Sequence, residues 1–210
     1  TLNKNTIPSM FLAGKKANAL GHIVLLDPVG AGASRLRTDT ANRLMQEVRF
    51  DAVRGNISEI KTLCTGSGST KGVDADAVDA VTEANLDDGV QLVKAFAQKT
   101  GCIIAVTGAI DLVSDGERCW CIRNGRAEMS RITGTGCQLS ALMTAFLVAN
   151  PDRKLDAAAA AVCMMGLAGE IGWANMQPGD GNSTYRDRII DAIFNMTGDA
   201  LEEGAKYELR

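Results

Sequence analysis

An α/β fold built on a largely parallel sheet is what the sequence predicts, and three features predict it. Short apolar or β-branched runs (Ile23 to Leu26, Phe50 to Val53, Cys102 to Val106) alternate with longer stretches of helical character. Each run ends in a small polar loop: Asp27-Pro28-Val29-Gly30-Ala31-Gly32, Arg54-Gly55-Asn56 and Thr107-Gly108. Aromatic residues make up only 4% of the chain while Ala and Gly abound, which suits closely packed helices and tight turns.

The elements follow in order. Met10 to Leu20 reads as a helix closed by Gly21, and Ile23 to Leu26 as a buried strand. Thr38 to Val48 is helical, Phe50 to Val53 is a second strand, and a helix then opens at Asn56 with Glu59 three residues on, a capping-box pairing. Thr65 to Lys71 is a Gly/Ser-rich loop, followed by a polar, Asp-rich stretch. Leu86 to Thr100 is an amphipathic helix stopped by Gly101, and Cys102 to Val106 is a third buried strand. Asp111 to Ser114 and Arg118 to Arg123, joined through Asp115-Gly116, read as an antiparallel hairpin. Gly134 opens an apolar helix to Asn150, an Ala-rich helix covers Leu155 to Ala174, Tyr185 to Met196 is a last helix, and a polar tail closes the chain.

With 210 residues, 46% of them apolar, the chain suffices for one sizeable core, and 1–210 is expected to be a single domain. A net charge of −3, with no basic patch interleaved with aromatics, argues against nucleic acid as a partner. The longest apolar run, Ala157 to Gly169, falls short of the ~20 residues a bilayer span needs, so no membrane partner is expected. The six cysteines sit singly in apolar runs except for Cys119-Trp120-Cys121, whose thiols are expected on opposite faces of a strand. With His22 the sole histidine, a zinc site is not expected, and the cysteines read as reduced thiols of a cytoplasmic protein.

Four loops carry chemistry. Gly134-Thr135-Gly136-Cys137 directly precedes a long apolar helix. Glycines let a backbone approach a ligand, and the free N–H groups and dipole of a helix start favour an anion, so this loop suits a transferring phosphoryl group. Asp27 follows a strand at the end where ligands of open α/β sheets bind, and its carboxylate is a candidate Mg²⁺ ligand, directly or through water. Arg54 can fork onto phosphate oxygens, and Glu59 can share the cation with Asp27, although the capping box competes for the same carboxylate. Thr107, again at a strand end, offers a hydroxyl to a phosphate. Gly66 to Gly72 is not a Walker loop, because Lys71 stands where the second glycine is required.

These motifs, together with Lys71-Gly72-Val73-Asp74, occur in the order seen in hydroxyethylthiazole kinases, which the chain resembles over essentially its whole length. Most ribokinase-like enzymes place Asp where this chain has Cys137, and the cysteine is what points to the thiazole enzymes. The resemblance implies a ribokinase-like three-layer α/β/α sandwich with a mostly parallel central sheet. It also implies ATP-dependent phosphorylation of the hydroxyl of 4-methyl-5-(2-hydroxyethyl)thiazole, in thiamine biosynthesis or salvage, with Mg²⁺ as cofactor. By motif, Arg54 and Thr107 would contact ATP, Asp27 and Glu59 would organise Mg²⁺, Gly136 would form the anion hole, Gly134 would line the substrate pocket and Cys137 would be catalytic. Family members are typically trimers and carry a further N-terminal segment, so this sheet is expected to be incomplete on its N-terminal side. Another ribokinase-like kinase of the pyrimidine-phosphate type, or a catalytically silent nucleotide-binding fragment, is the alternative. A thiol-nucleophile enzyme would lack a partner base, since His22 is the only histidine.

Overall fold

The computed structural model describes residues 2–66 and 80–210. The loop expected from Thr65 to Lys71 and the Lys71-Gly72-Val73-Asp74 motif therefore lie largely outside the described residues. Among the described residues six strands form one sheet in the order β1 (Leu25–Leu26), β2 (Ala52–Asn56), β3 (Ile103–Thr107), β4 (Asp111–Ser114), β5 (Cys119–Ile122) and β6 (Tyr207–Leu209). The helices are α1 (Thr6–Ala19), α2 (Arg35–Glu47), α3 (Ile57–Thr65), α4 (Leu86–Thr100), α5 (Thr135–Ala149), α6 (Lys154–Ala174), α7 (Asn182–Asn195) and α8 (Gly198–Gly204).

Strand alternation builds the three layers. On β3, Ile104 and Val106 pack with Leu44, Ile60 and Val93 of α2, α3 and α4, whereas Ile103 and Ala105 pack with Met143, Val162 and Ile189 of α5, α6 and α7. Both faces of the sheet are thereby covered, as the near-continuous apolar runs required. The sheet itself is mixed. β1, β2 and β3 are parallel, while β4 and β5 add antiparallel as a hairpin that follows β3 with no intervening helix, and β6 returns antiparallel to β5 after α5 to α8.

Three expectations need correction. Arg54-Gly55-Asn56 is not a loop but the second half of β2, paired with β3 from Arg54↔Ala105 to Asn56↔Thr107. Poor strand formers are held there by a parallel neighbour, a tertiary override of propensity. The polar tail is ordered as α8 and β6, the latter pairing Cys121↔Glu208. A three-residue strand is too short to announce itself by periodicity. Finally, Cys119 and Cys121 face the same side, because residues two apart on a strand share a face. The interaction between the two thiols pushes the Cys119 thiol up and the Cys121 thiol down.

α6 is longer than its apolar run. The stretch Pro151–Ala174 is, by length and composition alone, long enough to cross a membrane, yet 72% of its apolar window is buried inside the protein. It is the central helix of its layer, packed between α5 and α7.

Candidate active site

The parallel strands set the site by ending at one edge. Register pairs Leu26 with Val53 and Arg54 with Ala105, so Asp27 follows β1 level with Arg54, and Thr107 lies two residues beyond Ala105 at the end of β3. Arg54 joins them: Nη1 donates to Asp27 Oδ2 at 3.1 Å and Nη2 donates to Thr107 Oγ1 at 3.0 Å. The pair is shielded, with 13% and 16% of the Arg54 and Asp27 side chains exposed.

Asn56 caps α3 through the expected capping box, accepting from the Glu59 N–H at 2.8 Å while Glu59 Oε2 accepts from the Asn56 N–H at 2.8 Å. Glu59 Oε1 accepts from the Gly30 N–H at 2.7 Å, which ties the Asp27–Gly32 loop to α3. Burial raises the Glu59 carboxyl above its ordinary range, against the pull of those two N–H groups.

The glycine loop expected to cradle an anion leads into α5. Gly134 is its N-cap, with φ of 97°, a left-handed conformation that favours glycine, and open space lies where a side chain would stand. The first helical bond runs from the Gln138 N–H to the Gly134 carbonyl at 2.9 Å, so the N–H groups of Thr135, Gly136 and Cys137 precede the ladder and are available to a ligand. The Arg54 guanidinium lies against Gly136. Arg54, Thr107, Asp111, Arg126, Gly136 and Met165 border a cleft of about 900 Å³.

The structure thus brings Asp27, Arg54, Thr107 and Gly136 together, with Glu59 behind the Asp27 loop. Cys137 is exposed in the first turn of α5, and no hydrogen bond joins it to the others among the described residues. Two residues escaped sequence reasoning. Ser140 Oγ donates to Asp27 Oδ2 at 2.8 Å, and its signal was the four-residue helical step from Gly136. Asp111 accepts from the Gly108 N–H at 2.8 Å and borders the cleft, where burial pushes its carboxyl up to about 7 against the nearby Arg54.

The chain resembles a known family of kinases. The sequence profile of the hydroxyethylthiazole kinase family matches residues 1–199. The chain belongs to that family. The hydroxyethylthiazole kinase of Clostridium acetobutylicum is 53% identical over 208 residues, which cover 99% of this chain and 76% of that one. That of Clostridium beijerinckii is 44% identical over 209 residues, covering 99% and 74%. The solved hydroxyethylthiazole kinase of Pyrococcus horikoshii OT3 superposes with a TM-score of 0.85 at 28% identity, covering all of this chain (100%) and 74% of that one. The chain therefore spans about three quarters of the length of these kinases, and it is an enzyme of their kind. A pyridoxal kinase from Staphylococcus aureus, solved with AMP-PCP and pyridoxal, shares the fold alone, with a TM-score of 0.59 at 18% identity.

Among the described residues no three His, Cys, Asp or Glu side chains cluster into a metal cage. Asp27 Oδ1, however, is buried with no hydrogen-bond partner. An unmatched carboxylate oxygen fits Mg²⁺, which takes oxygen ligands, keeps most of its waters and needs only one or two carboxylates. Glu59 fits less directly, because each of its oxygens already accepts a backbone N–H.

Proposed function

We propose that the cleft beside Gly134-Thr135-Gly136 is where this kinase transfers the γ-phosphoryl group of ATP to the hydroxyl of hydroxyethylthiazole. The observation that carries the reading is the placement of Arg54, a cation that bridges Asp27 and Thr107 and lies against Gly136 in the first turn of α5.

In phosphoryl transfer the protein's work is positioning and charge stabilisation, since the transition state is loose. The Arg54 fork matches two phosphate oxygens, and Thr107 adds a hydroxyl at the same strand edge. The N–H groups of Thr135, Gly136 and Cys137 face charge that develops as the phosphoryl group moves, and they need no reorganisation to do so. Asp27 would hold Mg²⁺ through Oδ1, with Glu59 reaching it through water. When bound, that ion neutralises phosphate charge.

Gly134 leaves room for the acceptor alcohol at the mouth of the cradle, and Cys137 would orient its hydroxyl or accept its proton weakly. A single domain working as a homotrimer in the cytoplasm, serving thiamine biosynthesis or salvage, completes the reading, supported by family membership.

The test follows ADP release by the purified chain with Mg²⁺, with and without hydroxyethylthiazole, alongside mass-spectrometric detection of the phosphorylated thiazole. Thiazole-dependent product is expected. ATP turnover that ignores the thiazole, or phosphorylation of a pyrimidine alcohol in its place, would overturn the substrate assignment.

A further inference from the structure

We propose that Ser140 is a positioning residue for Asp27, its hydroxyl fixing which carboxylate oxygen is left to take a cation. The inference rests on the cation role given to Asp27 above.

Ser140 stands one helical turn after Gly136 on α5, and its hydroxyl reaches both Asp27 Oδ2, at 2.8 Å, and the Gly136 carbonyl, at 3.1 Å. A serine hydroxyl has one hydrogen to give. The Gly136 carbonyl is already the ladder acceptor for the backbone N–H four residues on, and a bond to an ionised carboxylate is the stronger choice. The proton therefore belongs to Asp27.

The consequence is an uneven carboxylate. Oδ2 receives two donors, Ser140 Oγ and Arg54 Nη1, while the buried Oδ1 receives none. Buried polar atoms are rarely left unmatched, so the arrangement holds one oxygen in reserve. Arg54 cannot keep it so by itself. Its Nη2 is on Thr107, and phosphate oxygens in the cleft compete for the whole guanidinium. Once Arg54 turns to phosphate, Ser140 is the donor that still holds Oδ2 and keeps the Asp27 side chain in place. It also ties the cation side of the site, at the end of β1, to the helix that forms the anion cradle.

The experiment measures binding rather than turnover. The affinity of the non-hydrolysable β,γ-imido analogue of ATP is followed by calorimetry across a Mg²⁺ series. Wild-type affinity is expected to rise with Mg²⁺, and Asp27→Asn to lose that rise. Ser140→Ala is expected to move the Mg²⁺ midpoint up about tenfold, the scale of one hydrogen bond to a charged group, with metal-free affinity little changed. Ser140→Thr should restore the midpoint and Ser140→Val should not. Thr and Val have the same shape, so their contrast isolates the hydroxyl even if alanine loosens α5. Equal midpoints for Ser140→Thr and Ser140→Val would overturn the role of Ser140 alone. A Mg²⁺ response that survives in Asp27→Asn would overturn the cation role of Asp27, and this inference with it.

Discussion

The guanidinium of Arg54 rests on Gly136: a Cβ at Gly136 would stand 2.8 Å from Nη1, 3.1 Å from Nη2 and 3.3 Å from Cζ. Moving Arg54 aside stretches or breaks its bonds to Asp27 and Thr107, which each hold one of its nitrogens. Gly136→Ala must therefore displace the guanidinium from the cradle or strain both bonds, a misfit costing about 1–3 kcal/mol. Steady-state kinetics are expected to show kcat/KM for ATP lowered roughly ten- to a hundredfold by that cost, with KM for the thiazole little changed. Unaltered ATP kinetics would remove Arg54 from the phosphate site.

Cys137 follows Gly136 in the same turn and is exposed there. An ordinary thiol, with a pKa of about 8.5, is mostly protonated at neutral pH, whereas an aspartate, at about 3.9, is ionised. If residue 137 assists the acceptor hydroxyl, Cys137→Asp should keep or raise kcat and Cys137→Ala should lower it. A base contributes less where proton transfer comes late, so a several-fold loss is expected rather than one of thousands. Wild-type turnover in the alanine variant would leave Cys137 as a helix residue without a chemical part.

Legibility divided along physical lines. The buried strands and long helices were readable because burial on both faces writes apolar runs, as from Ile103 to Val106, and helix stops write glycines, as at Gly101. The capping box at Asn56 and Glu59 was readable because its chemistry is local. Arg54 on a strand was not, since only the pairing of β2 with β3 draws Arg-Gly-Asn into the sheet. Ser140 was hidden for the same reason: its partner Asp27 lies 113 residues away. β6 forms only because β5 offers an edge to pair with, a fact no three-residue window contains.

Glu59 combines both kinds of information. Its two oxygens accept the Gly30 and Asn56 N–H groups at 2.7 Å and 2.8 Å, and the side chain is buried. Glu59→Gln would turn an amide NH₂ toward one of those donors, whichever way it is flipped. Leaving a buried donor unmatched costs about 1–3 kcal/mol, so the unfolding free energy is expected to fall by that amount, read in urea as a lower midpoint with an unchanged slope. Because the Gly30 contact shapes the loop that carries Asp27, nucleotide affinity should weaken in the same variant when Mg²⁺ is present. A fully stable Gln variant would mean that the capping box is not what holds this loop.

Asp111 predicts a pH dependence whose sign is fixed by its position. Burial beside the cleft lifts its folded-state value to about 7, against an ordinary 3.8, although the Gly108 N–H and Arg54 both favour the ionised form. The nearby Cys163 thiol is pushed up to about 12, chiefly by burial and then by Asp111, so it stays neutral throughout the window. Between about pH 4 and pH 7 the folded chain then binds more protons at this site than the unfolded chain does. Stability from Asp111 is therefore fully present below about pH 4 and is lost as pH rises toward 7. Asp111→Asn keeps an oxygen for the Gly108 N–H and cannot ionise, so it removes this slope without removing the bond. Its melting temperature should match that of the wild type near pH 4 and exceed it at pH 8, where the wild-type carboxylate is charged in a poorly solvated position. Parallel melting curves across that range would show that the Asp111 carboxylate ionises as easily in the folded chain as in the unfolded one.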